Sequence, residues 1–225
     1  MQDFSILNRM SDIKHLTELK ELFLSFNKTF DVKSYLETIL QDENLLIYVS
    51  SKSYSHENGF DKITLFENLY SKLRLHLWMK DGIKYSENVH NHRWDFCSKI
   101  ITGAYQFENF EITNDVGIEH YEYEYLPKTN SDKYDMVFRG KKKLLIKETG
   151  IKKKDDIHIL SENELHKISS TENVTATIFL TGKLKKKSTN VFSEFIIDNS
   201  SLPYRYINSK ELKEKIGLFL NVLQK

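Results

Sequence analysis

The 225-residue chain sets 33 lysines and arginines against 32 aspartates and glutamates, a net charge of +1, and is 40% hydrophobic. That length and balance fit one core-bearing domain with room for an added subdomain, and exclude a disordered polyelectrolyte or a chain drawn to nucleic acid or membrane by a global basic field. A single cysteine, Cys97, excludes an intrachain disulfide framework; with no apolar run near about 18 residues and no signal-peptide core at the N-terminus, the expectation is a cytoplasmic protein.

Residues 1–45 read as a helical extension. Ile13, Leu16, Leu19, Leu22 and Leu24 recur near a helical period behind Ser11, a candidate N-cap. Tyr35, Leu36, Ile39 and Leu40 form the stripe of a second helix over Val32–Gln41, capped by Asp31. The run LLIYVS at 45–50 predicts a buried strand. Asn58-Gly59 then predicts a turn, with His56 in an exposed loop, and a strand restarts over 62–66. The segment SKLRLHLWM at 71–79 alternates, with Leu73, Leu75 and Leu77 on one face and Arg74, His76 and Trp78 on the other. If the leucines pack under the N-terminal helices, Arg74 and His76 line an interior; otherwise they face solvent.

The chain is organised around 87–105, ENVHNHRWDFCSKIITGAY, which holds its only His-x-His pair, His90 and His92. In an extended segment residues two apart share a face, so both imidazoles can reach one ion such as Fe, Zn, Cu or Ni. Trp94 and Phe96 share that parity and wall the same space, while Arg93 and Asp95 pair with each other or with neighbours. Asp95 and Cys97 are alternative ligands, an inert buried thiol being the simpler reading of Cys97.

Farther along, a strand over 104–112 turns Tyr105 and Phe107 inward. A second, over 117–126, turns Tyr121, Tyr123 and Tyr125 inward and leaves His120 on a solvated acidic face. Residues 127–156 predict irregular structure, with lysine clusters at 141–143, 152–154 and 185–187 as solvated hairpin tips. Strands follow at Ile157–Leu160 (with His158), 165–168 (with His166), Val174–Thr181 and 191–197. Asn208 and Glu211 have capping-box spacing and open an amphipathic helix striped by Leu212, Ile216, Leu220 and Leu223.

Gly82, His90-x-His92 and Gly103 together resemble the first motif of the cupins, small β-barrel metalloproteins. Over roughly residues 60 to 200 the chain is similar to their cysteine-dioxygenase-like branch. The carrying segments are LRLHLW at 73–78, HNHRWDFC with Cys97 five residues after His92, LHKI at 165–168 and TATIFLTG at 175–182. The resemblance implies a mainly β fold: a double-stranded β-helix barrel over 46–207, N-terminal helices over 1–45 and a C-terminal helix over 208–225. It implies His166 as the third metal ligand, with His158 as its rival. The usual cupin glutamate is replaced by the stretch Asp95-Phe96-Cys97, and a three-histidine site without that acid is what thiol dioxygenases have. Their active-site tyrosine has no counterpart in Ile178-Phe179-Leu180, and their substrate arginine has no clear match.

Three neutral ligands leave open positions on an octahedral ion, where a small donor-bearing substrate and O2 bind side by side. The leading expectation is therefore a mononuclear non-haem Fe(II) dioxygenase acting on a small thiol-, amine- or carboxylate-bearing molecule. Arg74 would orient a carboxylate, and His76 or Tyr105 would move a proton. A non-oxidative enzyme using Zn, Ni or Mn, and a non-catalytic ligand-binding barrel, stay open. The terminal helices either cover one subunit or join a homodimer.

Overall fold

The structure, a computed structural model, describes residues 2–79, 87–128, 131–197 and 201–224. Gly82 and most of the turn expected over 81–88 lie outside the described residues.

The N-terminal part is helical, as its periodicity indicates, but its first helix starts later. A 3-10 turn occupies Ser5–Ser11, and α1 (Leu16–Asn27) is capped by His15, whose N–H donates to Glu18 at 3.1 Å. Asp31 caps α2 (Val32–Gln41) as expected, accepting from Ser34 N at 3.1 Å. The strand expected at 45–50 is instead helix α3 (Glu43–Ser51). Asp42 caps it through Leu45 N at 3.0 Å, and Leu46, Val49 and Ser50 are buried at helical spacing while Ile47 and Tyr48 are exposed. The β-prone composition yields to a cap and to a core that lies on one side only.

Strands β1 (Tyr54–His56), β2 (Phe60–Glu67), β3 (Lys72–Met79), β4 (Val89–His90), β5 (Phe96–Thr102), β6 (Ala104–Thr113) and β7 (Ile118–Pro127) follow. The remainder are β8 (Lys133–Lys153), β9 (Ile157–Leu160), β10 (Leu165–Ser170), β11 (Val174–Thr181), β12 (Thr189–Ser193), β13 (Ser201–Pro203) and β14 (Arg205–Tyr206), before helix α4 (Ser209–Leu223). They form two antiparallel sheets, ordered β14-β1-β2-β3-β11-β5-β9 and β13-β8-β6-β10-β4-β12-β7, and β7 also pairs with β8. This is the mainly β, double-stranded arrangement expected, with helices at both ends of the chain.

The main core lies between the helices and one face of the first sheet. Leu73, Leu75 and Leu77 of β3, Ile63 and Leu65 of β2, and Ile178 and Leu180 of β11 pack there with Leu19, Phe23, Leu36, Ile216 and Phe219. The leucines of β3 thus face the helices, which turns Arg74, His76 and Trp78 to the other face, and all three are buried. Aromatic clusters occupy that inner face: Phe60, Trp78, Tyr105 and Phe107 in one, Phe96, Phe179 and Trp94 in another. Gly103, at φ +73°, links β5 to β6; a Cβ there would lie 2.3 Å from Val174 O.

Residues 127–156 are not irregular. β8 runs for 21 residues, its first half pairing with β7 and its second with β6. Its lysines and glutamates hide the strand from a reading based on apolar alternation. Backbone ladders hold it, and cross-strand pairs such as Lys141–Glu119 at 2.7 Å decorate its surface. The register between β7 and β8 shifts between Glu122 and Tyr123, where Arg139 of β8 is the extra residue. Tyr121, Tyr123 and Tyr125 of β7 still pack in one cluster, while His120 is buried rather than solvated, its Nδ1 2.9 Å from Ile118 O. The strand expected at 191–197 ends at Ser193. Asn208 caps α4 as the spacing indicates, accepting from Glu211 N at 2.9 Å.

Candidate metal centre

His90 of β4 and His166 of β10 are direct cross-strand partners, so their side chains leave the sheet on one face. β4 ends at His90, and the chain bends at Arg93 and Trp94. His92 still joins the pair because Asn91 is pinned to β12. Asn91 N–H donates to Asn190 O at 3.2 Å, and Asn190 N–H returns a bond to Asn91 Oδ1 at 2.8 Å. With Asn91 committed to β12, the two flanking imidazoles come together with His166.

The ligand atoms of His90, His92 and His166 all lie within 4.8 Å of one another. His92 Nε2 and His166 Nε2 are 2.8 Å apart. Two nitrogens at right angles on one ion, each bound at about 2.1 Å, stand about 3 Å apart, so this spacing suits a shared cation. His90 Nδ1 donates to Asn88 O at 2.8 Å, which fixes the tautomer and leaves Nε2 as the lone-pair donor. Among the described residues, Nδ1 of His166 is buried without a partner. Burial holds His90 at about 4, against the Asn88 bond that would raise it. Burial, and then the neighbouring imidazoles, push His92 and His166 well below the ordinary histidine value. All three are neutral near pH 7, the state a metal requires.

The alternative ligands are engaged elsewhere. Asp95 accepts from Glu162 N at 3.0 Å and from Lys185 Nζ at 2.6 Å. Cys97 faces the helical core, where burial raises its thiol to about 12. His158, the rival third ligand, is not part of the cluster; its Nδ1 lies 3.0 Å from the Tyr105 hydroxyl. Trp94 and Phe96 wall the site as their parity suggests: the Phe96 ring meets the His92 ring edge-on at 4.8 Å.

The triad stands between two spaces. On one side is a chamber of about 40 Å³ bordered by His76, Tyr105, Glu87 and Thr177. His76 stacks on Phe179 at 4.5 Å, and its Nε2 and Thr177 Oγ1 are buried without partners among the described residues. Tyr105 is fully buried, and burial pushes its phenol far above the ordinary value. On the other side is an open cavity of about 390 Å³ bordered by His90, His92, Arg74, Arg93, Lys62 and Trp94. The structure therefore gathers Arg74, His76 and Tyr105 around the triad, Arg74 on the outer side and the other two on the inner.

Several residues of these walls escape a reading focused on the His-x-His motif. His56 lies at a strand end and stacks on Phe60 at 5.1 Å, bordering the outer cavity rather than a free loop. Lys62 borders both spaces. The signal for it was present, because Ile63 and Leu65 share the outward parity of the β3 leucines, which turns Lys62 and Thr64 inward. Burial drives the Glu87 carboxyl up to about 7, with Lys62 opposing.

No protein-family model matches the chain, and no curated protein matches it. Solved structures similar to it include a cupin superfamily protein from Desulfitobacterium hafniense, at 10% identity over 60% of this chain and 87% of that one, TM-score 0.34. KdgF from a Halomonas species is 9% identical over 56% and 83% of the two chains, TM-score 0.34. Hydroquinone 1,2-dioxygenase from a Sphingomonas species, solved with 4-hydroxybenzoate bound, is 8% identical over 56% and 66%, TM-score 0.34. At such identities fold alone is at issue, and the fold here is read from its own sheets. Among the described residues, no helix is long and apolar enough to cross a membrane.

Proposed function

We propose that this chain is a mononuclear metal-dependent enzyme of the cupin type, and specifically a non-haem Fe(II) dioxygenase with the ligand set of the cysteine-dioxygenase-like branch. One observation carries the reading: three neutral imidazoles, with Nε2 atoms of two of them 2.8 Å apart, converge beside a cavity large enough for a small substrate. His90, His92 and His166 would hold the ion, which, when bound, supplies Lewis acidity and coordination positions for a donor atom and O2. The donor set alone does not select the metal, since three histidines also suit Zn, Ni or Mn.

The other roles belong to the chain's own side chains. Arg74, buried on the cavity side, would grip a substrate carboxylate through paired N–H bonds. Tyr105, bonded to His158, would hold or deliver a proton on the chamber side, with His76 as the second candidate. The aromatic wall of Phe96, Phe179 and Trp94 would keep water from the reacting face.

The test is O2 uptake by anaerobically Fe(II)-loaded protein against a panel of small thiols, amines and amino acids. Stoichiometric O2 consumption with one of them is expected. Turnover that persists under strict anaerobiosis, or that runs only with Zn, Ni or Mn, would replace the dioxygenase with a non-oxidative enzyme on the same ligands.

A further inference from the structure

The outer cavity carries positive charge that the described residues neutralise only in part. Its wall contains Lys52, Lys62, Lys72, Lys128, Arg74 and Arg93. Three of these are accounted for: Lys52 and Lys72 share Glu67, and Lys128 pairs with Asp135 at 2.8 Å. Glu57, the other acid on the wall, accepts from Tyr134 Oη at 2.9 Å. Lys62, Arg74 and Arg93 remain, and among the described residues none of the three has an ion pair within 4.0 Å or a side-chain hydrogen bond. Glu87 is the acid that borders Lys62, on the chamber side.

The two arginines are tied to one ring. The Arg93 guanidinium lies 4.7 Å from the Trp94 ring centroid and the Arg74 guanidinium 5.8 Å from it. Arg74 is only 7% exposed, yet among the described residues its Nε has no partner, and neither has the buried Nε1 of Trp94. Buried donors without acceptors cost stability unless something fills the place. The Tyr54 phenol on the same wall registers the field. Its burial works to raise it, and the charges on Lys62, Arg74, Lys72 and Arg93 overcome that and hold it below the ordinary tyrosine value.

A single carboxylate does not balance this arrangement. Two arginines and a lysine without an ion pair among the described residues, beside a triad whose ligands are neutral and would leave a divalent ion its full charge, call for a ligand with more than one negative charge. We propose, resting on the metal-centre reading above, that the substrate is a small organic dianion. Its donor end would face the ion that His90, His92 and His166 would hold, and its anionic end is held by Arg74 and Arg93 around the Trp94 ring, with Lys62 completing the balance. Selection by charge follows, because a neutral or singly charged analogue leaves the buried Arg74 or its half-buried neighbours uncompensated.

The test is calorimetric titration of the metal-stripped 225-residue protein at low ionic strength with malonate, inorganic phosphate and acetate. Malonate or phosphate is expected to bind at least about tenfold more tightly than acetate, with affinity falling as salt rises. Tighter phosphate places both charges on one group; tighter malonate places them on two. Arg74→Met and Arg93→Met should each weaken the dianion at least about tenfold, Arg74→Lys should weaken it less than Arg74→Met, and Arg139→Met, on the exposed β8 surface, should leave it unchanged. If Arg74→Met does not fold, the half-buried Arg93 carries the comparison. Equal affinity for acetate and malonate, or undiminished malonate binding by Arg93→Met, would overturn the proposal. Because the probes meet metal-free protein, a failure to load metal leaves this result intact. A loaded centre without dianion preference refutes only the charge assignment.

Discussion

His158 offers a quantitative test of how the inner chamber is built. Its ring is 5% exposed and bonded to the Tyr105 hydroxyl, and burial, followed by the charge on Lys152, holds it at about 4 against an ordinary 6.5. Between those values the unfolded chain binds a proton that the folded protein refuses, so the residue's contribution to stability falls as pH drops through about 6.5 toward 4. From about pH 7.5 to about pH 4.5 the loss is roughly 2.5 kcal/mol. Other groups titrate in this range, and the Glu87 carboxyl works in the opposite sense, so absolute stabilities do not isolate the effect. The difference between wild type and His158→Asn does. At about pH 7.5 the variant should be less stable by about 1–2 kcal/mol, from a weakened bond to Tyr105 and lost packing. At about pH 4.5 that gap should shrink by roughly 2.5 kcal/mol and can reverse. Urea unfolding of metal-stripped protein, followed by tryptophan fluorescence, measures both gaps. A gap that is the same at both pH values would refute the reasoning, because His158 would then titrate alike in the folded and unfolded states.

Two further outcomes test the frame around the site. Cys97→Ser should keep its metal yet lose about 1–3 kcal/mol, since a hydroxyl would replace a thiol against the apolar helices; loss of the metal in that variant would make Cys97 a ligand. Gly103→Ala should lower the thermal midpoint, costing at least about 2 kcal/mol from left-handed backbone and a Cβ crowded onto Val174 O. An unchanged midpoint would contradict the tight β5–β6 link.

Much of the site was legible because alternation is simple. The leucines of β3 declare which face meets the helices, and Arg74, His76 and Trp78 follow. The same rule applied to β2 finds Lys62, which a motif-centred reading passes over. Other features depend on information that no local pattern holds. The 45–50 run is β-prone in composition, but the Asp42 cap and a one-sided core make it helical. β8 is held by backbone ladders to two neighbours, so its charged sequence carries little of the signal. His120 stays on the face opposite the tyrosines, as alternation says, yet it is buried, because what the fold lays over that face is not written in the strand's own pattern. His158 has the right chemistry and a plausible position for a ligand, and only register decides that it faces Tyr105 while His166 faces His90.

The central claim is that His90, His92 and His166 hold one metal ion. Elemental analysis of protein purified anaerobically, without a histidine-rich tag, tests it most directly, with His92→Ala prepared in parallel. The account predicts about one equivalent of metal in the wild type, iron in the favoured case, and its loss in a His92→Ala protein that remains folded. Absence of metal from the wild type after loading with Fe, Zn, Ni and Mn in turn, or full occupancy in His92→Ala, would contradict it.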